Sequence, residues 1–361
     1  VKIVLFYHSL LSDWNHGNAH FLRGVATELV RRGHDIRIYE PADGWSYRNL
    51  VEQHGEEPLT AFARAYPLLQ DKSERYTALD LDRMLEGADL VLVHEWNSSE
   101  TVNALGAHHA AHPRYRLLFH DTHHRAVTAP HEMERYDLSS YDGVLAYGAV
   151  LTRLYLAHGW TRRAWTWHEA ADADFFRPLA AIQKIGDLVW IGNWGDDERT
   201  AELHEFLIDP VRELRLNASV FGVQYPPAAR DSLRAAGLYY GGWLPNCRVP
   251  ETFAQFRLTV HVPRRPYAQQ LVGIPTIRPF EALACGIPLV SAPWQDAEGL
   301  FVPGKDFLFA PDGKTMKRHL QSLLAEPERA RALAEHGRQT ILARHTCAHR
   351  VDELLAIFAT L

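Results

Sequence analysis

The stretch Arg278–Pro293, RPFEALACGIPLVSAP, decides how the chain is read. It has the pattern of a short helix followed at once by a buried strand. Pro279 suits the first helical position, where its fixed φ fits and its missing N–H was an orphan anyway. Gly286 suits the left-handed residue that stops a helix, and Pro288 prevents continuation. The apolar IPLVSA that follows predicts a strand covered on both faces, as in a parallel sheet. Glu281 then falls in the first helical turn, where free N–H groups and the macrodipole favour an anion. That alone accounts for a carboxylate here. A second reading has Glu281 accepting hydrogen bonds from a ligand at the end of a parallel sheet.

Working outward, the second half alternates strands and helices. DLVWIGN, NASVFG, LYYGGWL and RLTVHVP read as strands, DERTAELHEFLIDPV and AARDSLRAAG as helices, and Gly313–Leu361 as a helical end. The first half has the same rhythm. KIVLFY, DIRIYE, DLVLVHE, YRLLFHD and YDGVLAYG predict strands, and HFLRGVATELVRRGH and LDRMLEGA predict helices. Ala171–Lys184 loses periodicity and carries Pro178, so it predicts a linker. The expectation is two doubly wound α/β domains, 1–177 and 178–361, with the last helix able to pack back on the first. Ligands bind outside the carboxyl ends of the strands in such sheets, and two of them facing each other make a central cleft.

Composition narrows the function. The chain has 361 residues, 47% hydrophobic and 23% charged, with a net charge of −6. A pI near 6.4 gives no basic field for nucleic acid. Cys247, Cys285 and Cys347 are too widely spaced for a disulfide framework or a CxxC metal site. VKIVLFYHSLL is too short to span a bilayer and lacks a basic start. The expected location is the cytoplasm, with membrane contact at most peripheral.

LVRRGHDIRIYEP, EAADADFFRP and FEALACGIPLVSAP resemble, in this order and spacing, signatures of GT-B glycosyltransferases. HDTHHR and GIPTIRPFEALACGIPLVSAPW look like the CgeB-like (spore maturation protein) branch of the group-1 type. The resemblance implies two Rossmann-like domains and transfer of a sugar from a UDP- or GDP-type donor, without a further cofactor, to an unidentified acceptor. In the family the Glu of the short helix binds the ribose hydroxyls, and the matching residue is Glu281. A carboxylate has two acceptor oxygens for two hydroxyls. Group-1 retaining enzymes carry a second Glu eight residues earlier. Here that position is Gly273, which leaves retention or inversion open and casts the backbone amides of Gly273 and Ile274 as its replacement. Phe280, beside Glu281, joins the expected donor site.

The leaving diphosphate needs its charge neutralised. No DxD lies between apolar strands, and DLD at Asp80–Asp82 reads as solvated, so a metal is not expected. Arg199, Arg264, Arg265 and Arg278 follow or flank predicted strand ends and supply cations instead. IGNWG resembles the family's glycine turn, which makes Gly192 and Asn193 phosphate neighbours. GGWLPN resembles the loop beside the nucleobase, with the Leu244 backbone at the base and the Trp243 ring either stacked there or filling core.

In the first domain, SLLSDWNHGNAH lacks the GxGxxG of a dinucleotide fold. Gly17 lets backbone approach a phosphate, and His16 is a candidate base. HEWN (His94–Asn97) ends another strand at the same edge. HDTHH (His120–His124) ends a third. Zinc there lacks a third or fourth ligand at usable spacing. A hydrogen-bonded loop cluster is the plain alternative, and His120 and Asp121 are the candidates for catalysis or sugar recognition. His108, His109 and His112 read as a solvated helix face. Two other functions compete with transfer: a sugar-nucleotide epimerase of the same architecture, and an inactive sugar-nucleotide-binding protein.

Overall fold

The computed structural model describes residues 1–361, apart from the side chain of Asp196. The chain divides into two units, Val1–Glu169 with Cys347–Leu361, and Ala170–Thr346. The division at 169/170 lies eight residues before the boundary expected from the loss of periodicity. The final helix, Cys347–Ala359, belongs to unit 1.

Unit 1 is built on a seven-stranded parallel sheet in the order β3-β2-β1-β4-β5-β6-β7. The strands are β1 (Lys2–Phe6), β2 (Asp35–Pro41), β3 (Ser73–Tyr76), β4 (Leu90–His94), β5 (Arg116–Asp121), β6 (Gly143–Ala146) and β7 (Ala164–Thr166). Every residue of β4 and β6 is buried, as helices on both faces require. Helix α1 (Ala19–Arg31) follows β1, and its buried Arg23 fixes the preceding loop. Nε of Arg23 donates to Leu10 O at 2.9 Å and Nη2 to Leu11 O at 3.0 Å, and Nη1 pairs with Asp13 at 2.8 Å. Helix α2 (Trp45–His54) follows β2. The indole N–H of Trp167 donates to Arg350 O at 2.8 Å and ties the last helix to this sheet.

Unit 2 has six parallel strands in the order β10-β9-β8-β11-β12-β13. They are β8 (Gly186–Ile191), β9 (Ala218–Phe221), β10 (Tyr239–Tyr240), β11 (Phe256–His261), β12 (Leu289–Ser291) and β13 (Leu308–Phe309). Leu188, Trp190, Val220, Leu258, Val260 and Val290 anchor its core. Each such buried side chain contributes about 1.5–3 kcal/mol of transfer free energy. The predicted helix DERTAELHEFLIDPV is broken by a wider turn over His204–Ile208. Pro210 has no N–H for the carbonyl four residues back, and the widened turn lies just before it.

In both units the sheet order reverses beside the first strand. The reversal lies between β1 and β4 in unit 1 and between β8 and β11 in unit 2. Chains leaving adjacent strands in opposite directions open a crevice at the carboxyl edge. The loops after these four strands are therefore where ligand contacts are sought.

Candidate functional site

The deciding stretch folds as helix Ile277–Ala284 and strand β12, with Gly286 left-handed at φ 65° after the helix. The helix begins two residues earlier than Pro279 suggests, so Glu281 stands in its second turn rather than its first. A simple dipole role is weaker there. Glu281 is completely buried and has partners from two elements. Its Oε1 accepts from Asn246 Nδ2 at 3.0 Å, and Oε2 pairs with Arg278 Nη1. Asn246 ends the GGWLPN loop, so Glu281 ties that loop to the helix. Burial, and then the Glu281 carboxylate, push the Cys285 thiol well above its usual range.

At the reversal point of unit 2 the central group is Arg199. Its Nε donates to Trp194 O at 3.2 Å and Nη1 to Val262 O at 2.9 Å, while Nη2 reaches Asn193 O. One guanidinium thus spans the loops after β8 and β11. It also lies 5.1 Å from the Trp190 ring. Burial, then the Arg264 and Arg278 charges, push its pKa down to about 9, so it stays protonated at neutral pH. A Cβ at Gly195 would lie 2.9 Å from Arg199 Nε and 3.1 Å from Arg264 Nε, so these two guanidiniums flank one glycine. Arg264 Nη1 is 3.2 Å from Glu198. Arg265 pairs with Glu202 at 2.8 Å and donates to Asp197 O.

The expected glycine turn is tight. Tyr225 O–H donates to Gly192 O at 2.7 Å, and Val223 N–H to Asn193 Oδ1 at 2.9 Å. A Cβ on neighbouring Gly222 would sit 2.1 Å from Gly192 O, so only glycine permits this approach of the loops after β8 and β9. Trp243 and Leu244 are half-buried in the loop after β10.

Two expectations are corrected here. The amides of Gly273 and Ile274 do not point to a ligand, because they donate to Gln295 O at 2.8 Å and Leu271 O at 3.2 Å. The Phe280 ring is core, packed on Phe301 at 5.4 Å and His345 at 5.7 Å. Sequence reasoning also missed Glu298, whose Oε1 would be 2.9 Å from a Cβ at Gly273. Its only signal was proximity in the loop after β12.

In unit 1 the loop after β1 and the carboxyl ends of β4 and β5 gather His8, His16, His94 and His120. All four are buried. Ring centroids are 4.0 Å apart for His8 and His16, 5.9 Å for His8 and His94, and 5.3 Å for His94 and His120. Burial pushes His8 and His120 down to about 3. His16 and His94 are also held well below their usual value, first by burial and then by neighbouring imidazoles. All four rings are neutral at pH 7. His120 is enclosed by Phe21 and Trp167, at 5.9 and 4.8 Å. Asp121 points the other way and is fully engaged. Its Oδ1 accepts from His123 N at 2.9 Å and its Oδ2 from Tyr155 O–H at 2.8 Å, which makes it a brace for the loop. Gly17 is exposed just before α1, and Asn18 Nδ2 donates to Thr122 Oγ1. Glu95, in HEWN, forms a buried pair with Arg125 at 2.6 Å.

These imidazoles predict acid sensitivity. An unfolded imidazole binds a proton near 6.5 and the folded His8 and His120 only near 3, so stability falls as pH drops through that window. By about pH 4.5 each group contributes a loss of about 2–3 kcal/mol. Thermal melts across this range should show a shallower decline for His120→Leu than for the wild type. Parallel declines would contradict the assignment.

Asp82, His108 and His112 form the one group of three potential metal ligands found among the described residues. They precede β4 and β5, at the amino edge of the sheet, opposite the loops just described. His109, expected on a solvated face, is instead buried against Ser140 O and Tyr115 O at 2.6 and 2.9 Å. Its main-chain partners across the helix explain the difference. Among the described residues no helix is long and apolar enough to cross a membrane.

Residues 199–356 match the family model described as "Glycosyl transferase-like". No curated protein sequence matches the chain. Among solved structures, Anabaena Alr3699/HepE in complex with UDP and glucose is similar, with a TM-score of 0.68, 14% identity and 100% of both chains covered. Sucrose-phosphate synthase from Thermosynechococcus elongatus is similar over 99% of this chain and 98% of that one, with a TM-score of 0.66 and 14% identity. The DNA-modifying enzyme β-glucosyltransferase, determined in the presence and absence of its substrate uridine diphosphoglucose, has a TM-score of 0.64 and 12% identity, over 99% of each chain. The chain thus has the two-sheet α/β fold of GT-B glycosyltransferases, and the family match over 199–356 supports a glycosyltransferase.

Proposed function

We propose that the chain is a metal-independent glycosyltransferase that takes a sugar from a UDP- or GDP-type donor, with the nucleotide on unit 2 and the acceptor on unit 1. One arrangement carries this reading: at the carboxyl edge of unit 2, Arg199 joins the loops after β8 and β11, Arg264 follows β11, and Arg278 pairs with the buried carboxylate of Glu281. A guanidinium has five N–H donors. Arg264 and Arg278 each spend one on a carboxylate. The others serve the diphosphate, and the Glu281 carboxylate is the acceptor for the ribose hydroxyls. The UDP, glucose and uridine diphosphoglucose of the similar structures support the donor class. The CgeB-like branch rests on GIPTIRPFEALACGIPLVSAPW.

In the transfer, an acceptor hydroxyl oxygen bonds to the anomeric carbon as the bond from that carbon to the diphosphate oxygen breaks. The electron pair leaves with the nucleoside diphosphate. The proton passes to His16 if configuration inverts, or to the leaving oxygen if it is retained. Glu298 brings a carboxylate to the backbone where group-1 enzymes carry their second Glu.

The test is mass-spectrometric product detection with UDP- and GDP-sugars over an acceptor panel, repeated after exhaustive chelation. Transfer that survives chelation is expected. Turnover lost with EDTA and restored by Mn²⁺ or Mg²⁺ would overturn metal independence, and no transfer from any donor would overturn the activity.

A further inference from the structure

Unit 1 places an aromatic wall beside its histidines. Trp45, at the start of α2, stacks on His8 at 5.5 Å with the rings 14° from parallel. Trp96, after β4, lies 6.0 Å from both His8 and Trp45, and 4.9 Å from His123. Trp14 closes on Trp45 at 6.3 Å. Trp45 and Trp96 are only half-buried. Behind this wall lie imidazole nitrogens with no hydrogen-bond partner among the described residues: both of His8, Nε2 of His16, Nδ1 of His94 and both of His120. His8 is 3% exposed and His94 0%. Burying such groups unpaired costs free energy, and a fold retains them where a ligand completes them.

The chemistry of the wall selects the ligand. A neutral imidazole offers one donor and one acceptor, which matches a hydroxyl group in both roles. An aromatic face is electron-rich and suits the weakly positive C–H face of a pyranose ring. A phosphorylated or carboxylated acceptor would need cations. The guanidiniums of buried Arg23 and half-buried Arg125 already pair with Asp13 and Glu95 at 2.8 and 2.6 Å. We infer that the loops after β1 and β4 form a carbohydrate subsite, in which His8, His16 and His94 hydrogen-bond the hydroxyls of an uncharged sugar stacked on Trp45 and Trp96, so that the acceptor is a neutral saccharide. This rests on the glycosyltransferase reading above and names the acceptor class for it.

The experiment titrates the full chain with maltotriose, cellotriose and mannotriose, each against glucose 6-phosphate, and reads tryptophan fluorescence. UDP and GDP binding is measured separately by calorimetry. Saturable emission change with at least one neutral trisaccharide is expected. Affinity should fall at least tenfold in Trp96→Leu and in His8→Phe, with nucleotide affinity unchanged. Trp96→Leu is half-exposed in a loop, and near-UV circular dichroism verifies that both variants fold. Saccharide binding that Trp96→Leu leaves intact overturns the subsite. So does nucleotide binding with no response to any neutral saccharide, or a response to glucose 6-phosphate alone. Saccharide binding without binding of either nucleotide would leave the subsite standing and overturn the transferase reading.

Discussion

Replacing Glu281 with Gln is expected to weaken donor-nucleotide binding about ten- to hundredfold, a loss of about 1.5–3 kcal/mol. The carboxylate is wholly buried and is shared between Asn246 Nδ2 and Arg278 Nη1. An amide accepts through one oxygen only and turns its own N–H₂ toward a donor. It cannot hold Asn246, Arg278 and two ribose hydroxyls together. The fold should survive, because the Arg278 side chain is 29% exposed and can turn to water. Turnover should drop at least as far as affinity. Calorimetry with UDP and GDP on wild type and variant checks this, and unchanged affinity in a folded variant would reduce Glu281 to a tie between helix and loop.

The second large effect is expected at Arg199. Arg199→Met leaves the carbonyls of Asn193, Trp194 and Val262 without their donor and removes the cation over Trp190. A net cost of about 2–4 kcal/mol follows from hydrogen bonds lost in a half-buried site. Arg199→Lys should recover only part of it. An ammonium is a compact charge and lacks the planar fork that spans two loops. Both variants should also lose donor affinity, since the loops after β8 and β11 are held by this side chain. Chemical denaturation and nucleotide titration measure the two losses separately. A stable Arg199→Met with normal donor binding would show that the loops hold themselves.

Much of this was legible in the sequence. Long apolar runs such as KIVLFY, DLVLVHE and RLTVHVP became the central strands, because burial on both faces leaves little choice of residue. The edges were not legible. β3 is the polar SERY and β13 has two residues, too few to show a period, while β10, inside the predicted LYYGGWL, is shortened to Tyr239–Tyr240. Glu281, Arg199, Arg264 and Arg278 are candidates in the sequence because each stands next to a strand end or a helix signal. The roles of Gly273, Ile274 and Phe280 were misjudged, since backbone bonding and ring direction depend on a loop twenty residues away. Glu298, Asn246 and the partnership of His8 with Trp45 and Trp96 depend on tertiary contacts that no local pattern records. His16, His94 and His120 each stood out alone, but their meeting required the β1–β4–β5 order of the sheet.

The account stands on the nucleotide being held at the carboxyl edge of unit 2. Hydrogen–deuterium exchange of the full chain with and without UDP or GDP tests this most directly. Added nucleotide should slow exchange in residues 192–199, 243–247, 262–265 and 276–281, and leave the loops after β1 and β4 unchanged. Protection confined to those unit 1 loops, or no protection with either nucleotide at saturation, would contradict it.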